Sequence, residues 1–128
     1  MGNPVVHWQI TTPDPAGASD FYGNLFGWKT SQDNALGYRM VKTGGTGGVD
    51  GGFWPVPTGG QPAVVLFVQV EDVRQTAKNA EHLGGRVLVP PQVLPDGDEM
   101  AILQDPQGIV MGLASLKSNL HRKQEGKA

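Results

Sequence analysis

One imidazole stands where chemistry would begin. His7 lies in Val5–Thr11, VVHWQIT, a run that reads as a strand. Side chains alternate across a strand, so His7 and Gln9 share a face, while Val6, Trp8 and Ile10 take the other. An imidazole and an amide pointing the same way can anchor a ligand by hydrogen bonds. Equally, a strand histidine can be satisfied by a neighbouring side chain. Other reactive arrangements are missing from the sequence. There is no cysteine, hence no thiolate and no disulfide framework. Neither HExxH nor GxSxG occurs. Glu81-His82 reads as a solvated pair on a helix. Asp96-Gly97-Asp98-Glu99 reads as an acidic loop, without EF-hand spacing. Thr43–Gly52 is rich in glycine but matches no phosphate-binding loop motif, and no helix follows it. A turn leading into a strand explains it better.

The elements that must position His7 come as a repeat. Val5–Thr30 falls on Ala63–Leu88, 58 positions further on, without a gap. Asp14 then matches Asp72, Leu25 matches Leu83 and Gly27 matches Gly85. Each copy reads as an apolar strand, an acidic helix cap, a short helix, a glycine stop and another strand. In the first copy Asp14-Pro15 starts the helix, and Ala18, Phe21, Tyr22 and Leu25 form its apolar stripe. Trp28–Ser31, Tyr38–Lys42 and Val49–Trp54 follow as strands. Pro55–Pro62, PVPTGGQP, reads as the linker. In the second copy Val64–Val70 is apolar on both faces, which predicts burial on both sides. Val73, Ala77, Ala80 and Leu83 or Gly84 form the next stripe. Arg86–Val89 is a strand, Pro90–Gly97 a loop, and Glu99–Gln104 and Ile109–Ala114 are strands joined by the type I turn Asp105-Pro106-Gln107-Gly108. The fold class expected is α+β: two tandem β-α-β-β-β modules, 4–56 and 63–115, in one domain, with a polar tail at 116–128.

The bulk properties narrow the function. A chain of 128 residues suits one domain with its own core. A net charge of −2 does not suggest a nucleic-acid partner. No apolar run approaches a membrane span, and MGNPVVHW shows neither a signal-peptide nor a myristoylation pattern. A cytoplasmic protein without membrane contact is the expectation.

Asp20–Trp28 (DFYGNLFGW), Leu83–Val87 (LGGRV) and Asp105–Gly108 (DPQG), in this order within two such modules, resemble the vicinal oxygen chelate superfamily. That superfamily includes glyoxalase I, bleomycin-resistance proteins and extradiol dioxygenases. The resemblance covers about Pro4–Leu113 and is strongest to small glyoxalase-like bacterial proteins. It implies curved mixed sheets enclosing a cleft between the modules, and commonly a homodimer. In metal-using members four strands each supply a ligand to one divalent ion. The resemblance places those positions at His7, within Val49–Trp54, at Val65 and at Gly112. Valine and glycine offer no side-chain lone pair, and a catalytic divalent site usually needs about three protein ligands. The fourth strand offers only Asp50.

The expected function is therefore metal-free binding of a small apolar or aromatic molecule, with no cofactor. His7 and Gln9 would orient the ligand, Tyr38 and Trp54 would wall it, and Phe67, Gln69, Val110 and Gly112 would share the inner face. Gly51 and Gly52 would leave space beside Trp54, as Gly112 would on its own strand. Trp8 would face the helix as core, and Trp28 would cover the module's end. The alternative is a metal-dependent lyase, isomerase or dioxygenase of the glyoxalase type, with His7 and Asp50 as ligands and a divalent metal as cofactor.

Overall fold

The computed structural model describes residues 2–31, 38–56, 60–94 and 97–116. Parts of the expected linker (57–59), of the expected loop (95–96) and most of the expected tail (117–128) lie outside the described residues. The chain forms an α+β fold of two compact units. The first is Val6–Leu66; the second begins at Phe67 and takes in the residues before Val6.

In the first unit, β1 (Val5–Thr12) is followed by α1 (Pro15–Phe26), β2 (Lys29–Ser31), β3 (Arg39–Lys42) and β4 (Gly51–Pro55). The strands lie in the order β2-β3-β4-β1. β1 and β4 are parallel, and the other neighbours are antiparallel. A parallel pair needs a crossover, which α1 begins. The Asp14 carboxylate caps α1 by accepting from the Gly17 N–H at 3.0 Å. Gly27 stops it at φ 75°, a left-handed conformation that costs glycine little, and its N–H donates to the Gly23 carbonyl at 2.9 Å. The helix rests on rings. Tyr22 stacks on Phe53 at 6.0 Å and on Trp28 at 5.5 Å, and Trp8 meets Trp28 at 5.1 Å. Phe53 is fully buried, a burial worth about 1.5–3 kcal/mol.

The expected stripe on α1 is wider than the real contact. No residue of α1 is fully buried, and Phe21 and Leu25 are 60% and 59% exposed. Ala18 and Tyr22 are half-buried. A four-stranded sheet padded with aromatic rings touches a narrower arc of the helix than the apolar spacing spans.

The second unit takes in the end of β5 (Ala63–Gln69) from Phe67 on, then α2 (Val73–His82), β6 (Arg86–Val93), β7 (Glu99–Gln104) and β8 (Val110–Ser115). Its strand order is β5-β8-β7-β6, with β5 and β8 parallel. Asp72 caps α2 through the Gln75 N–H at 3.0 Å. Val73 and Ala77 bury against Val70, Ala101 and Leu113. Leu83 is not part of this stripe; it is 80% exposed, because the helix has already ended in the turn that Gly84 makes at φ 96°. The Gly85 N–H closes that turn on the Ala80 carbonyl at 2.8 Å.

Two further expectations need correction. Pro90 and Pro91 do not open a loop. β6 runs through them to Val93, with register shifts between Val87 and Gln92. Proline lacks a ladder donor but is tolerated in an outer strand at a bulge. The start of β5 is not buried on both faces. Val65 is buried, whereas Val64 and Leu66 are exposed. Branched aliphatic residues favour a pleated strand whether or not its outer face is covered.

Candidate functional site

The ladder of the first unit fixes which side chains share a face. Gln9 pairs with Gly52, and Gly52 with Met40. Thr11 pairs with Trp54. By alternation His7, Gln9 and Thr11 project from one face with Trp54 and Met40. Trp8, Val41 and Phe53 project from the face that α1 covers.

Tyr38, immediately before β3, spans the first of these faces. Its hydroxyl lies 3.0 Å from His7 Nε2, and its ring centroid is 4.6 Å from that of Trp54. Gly52 makes this span possible. A Cβ there would fall inside the Tyr38 ring. Burial holds the His7 imidazole below the usual histidine range, and the negative charge of Asp50 opposes that shift. The ring is thus neutral at pH 7, with one nitrogen donating and one accepting. When Nε2 is bare, the Tyr38 hydroxyl donates to it. Gln9 is half-buried, and its ladder partner Gly52 is the residue over which Tyr38 lies. The set His7, Gln9, Tyr38 and Trp54 comes together within one unit.

In the second unit Phe67 pairs with Gly112, and Gln69 with Ala114. Phe67 is only 2% exposed and Gln69 is buried. The Gln69 N–H donates to the Pro4 carbonyl at 2.9 Å. Val110, at the start of β8, is half-buried. The room expected beside the glycines is already filled. The Phe67 ring lies over Gly112, the Tyr38 ring over Gly52, and the Trp8 indole over Gly51. Trp8 Nε1 also donates to the Val49 carbonyl at 2.6 Å. These glycines admit neighbouring rings of the protein itself.

From sequence Gly52 was expected only to leave space beside Trp54, yet the repeat held a further clue. Gln9 and Phe67 are equivalent positions, and their partners in the last strand of each module are Gly52 and Gly112. The four equivalent strand positions are therefore His7, Gly52, Val65 and Gly112, which carry one imidazole between them. Asp50 precedes β4, and its carboxylate accepts from the Thr43 N–H at 3.0 Å and faces the Thr43 hydroxyl at 3.3 Å. Among the described residues no three His, Cys, Asp or Glu side chains are grouped to hold an ion. This donor set does not fit a divalent metal with three protein ligands.

The family model of the Glyoxalase/Bleomycin resistance protein/Dioxygenase superfamily matches residues 5–113. The chain belongs to this superfamily. The glyoxalase-type fold is also seen in the solved structures it resembles. A hypothetical protein from Bacillus halodurans C-125 is 14% identical with a TM-score of 0.68, covering 91% of this chain and 96% of that one. Methylmalonyl-CoA epimerase from Streptomyces coelicolor, in complex with 2-nitronate-propionyl-CoA, is 20% identical with a TM-score of 0.64 over the same shares. A comparison with curated protein sequences gave no match. Among the described residues no helix is long and apolar enough to cross a membrane.

Proposed function

We propose that this superfamily member binds a small apolar or aromatic molecule without a metal, against the face carrying His7, Gln9, Tyr38 and Trp54. The observation that carries the reading is Tyr38, which joins an aromatic wall at Trp54 to a neutral imidazole at His7. An apolar surface with a few convergent polar groups is the usual form of a small-molecule site. The epimerase of similar fold, solved with an acyl-CoA analogue, supports small-molecule binding as a use of this architecture. Affinity would come from apolar area removed from water at about 25 cal/mol per Å², with His7 and Gln9 setting orientation.

All three tryptophans lie in the first unit, so their fluorescence reports on this face. A panel of neutral aromatic compounds should contain members that quench it and raise Tm, since a ligand bound only by the native state stabilises it. Trp54→Phe should remove most of the quenching. A panel in which neither signal moves would count against the reading. Elemental analysis of protein purified without chelator provides the second arm. A stoichiometric divalent ion, lost in His7→Ala, would replace this reading with metal-dependent glyoxalase-type chemistry.

A further inference from the structure

We infer that the ligand carries an anionic oxyacid group, held by Lys29 and Lys42 at the end of the His7 face. This inference rests on the proposed binding reading and narrows its ligand class. Lys29 and Lys42 are direct partners across β2 and β3. Both are exposed. Lys42 lies two residues beyond Met40, the ladder partner of Gly52, so alternation puts both lysines on the face crossed by Tyr38.

Like charges directly opposite on neighbouring strands destabilise a sheet. Among the described residues neither lysine forms an ion pair; the contact of that kind there joins Arg74 to Glu99. The acidic group nearest in register is Asp50, one residue before β4, and its carboxylate is turned to the Thr43 N–H and hydroxyl. Asp50 would repel an incoming anion, but it is one negative charge facing two positive ones. A lysine on β2 is explicable by itself, because β2 is an outer strand and charge there deters strand addition. Lys42 sits on β3, which is flanked on both sides, so that account does not reach it. A bound anion turns the unfavourable pair into a two-pronged clamp. At about 3.3 Å per residue, Lys42 stands about 13 Å along the strand line from Tyr38. A ligand with a ring against Tyr38 and Trp54 and an acid group at its far end would span that distance together with the lysine side chain.

The test is fluorescence titration of the whole chain with 2-naphthoate, 2-naphthyl phosphate and neutral 2-naphthylmethanol at low salt. One or both acids should bind roughly tenfold more tightly than the alcohol, and the acid that does so identifies the group. The preference should shrink as salt is added and vanish in the K29Q/K42Q double variant, whose affinity for the alcohol stays unchanged. That variant should also keep its Tm or gain about 1–3 °C, because a repulsion is removed; this shows that it folds. Equal binding of acids and alcohol would overturn the lysine clamp while leaving aromatic binding intact. So would a preference that survives the double variant. Binding of none of the three would remove both.

Discussion

Gly52 and Gly112 occupy matching ladder positions, and each lies beneath an aromatic ring. Their substitutions should nevertheless differ. Gly52→Ala pushes against Tyr38, which is half-buried and can swing outward. It should cost about 1–3 kcal/mol in urea unfolding and disrupt the His7 contact. Gly112→Ala pushes against Phe67, which is sealed in the core, and should cost more. Equal costs would mean that Tyr38 is as confined as Phe67. His7 gives a second prediction. Its folded pKa is lowered by burial, against the charge of Asp50, so the unfolded chain binds the proton more tightly. Stability should be full above about pH 6.5, fall as acid is added below that, and level off beneath the folded value. In His7→Gln this share of the pH dependence should vanish, measured by urea melts from pH 5 to 7.5. At this scale the sequence showed that His7 and Gln9 share a face and that Trp8 looks the other way, because alternation needs no partner strand. It did not show that Tyr38 reaches His7. That contact depends on the register of β4 beside β1 and on an absent Cβ at Gly52, neither of which has a local signal.

Among the elements, helix starts were legible and helix burial was not. Asp14 and Asp72 cap as expected, because capping is a local contest for free N–H groups. The exposure of Phe21, Leu25 and Leu83 depended on how much sheet lay opposite, which spacing along one helix does not encode. The strand through Pro90 and Pro91 was missed for a similar reason: those prolines are compatible with an outer, bulged strand and forbidden only in a central one. The start of α1 makes a sharp prediction. Replacing a helical glycine by alanine ordinarily stabilises by about 1 kcal/mol. At Gly17 the new methyl would displace the Asp14 carboxylate that caps the helix. Gly17→Ala should therefore be neutral or destabilising in wild type, yet stabilising in an Asp14→Ala background. An equal gain in both backgrounds would show that the cap contributes little.

For the whole molecule, the boundary between the units matters more than the linker. It falls between Val5 and Val6, inside β1, and between Leu66 and Phe67, inside β5. Chains of this length ordinarily unfold in one cooperative step. Tryptophan fluorescence, which sees the first unit, and far-ultraviolet circular dichroism, which sees all the backbone, should give the same midpoint. Separated midpoints would show that the units unfold one at a time. The two units also differ in what fills them: aliphatic side chains under α2, aromatic rings under α1. The packing of Trp8 against Trp28, with planes tilted by 35°, has a spectroscopic consequence. Two indoles at that range do not absorb light independently. Their excited states mix, and the handed geometry splits the shared band into lobes of opposite sign. The chain thus carries an intrinsic optical gauge of how firmly its first helix is seated, and replacing either indole with phenylalanine would silence it.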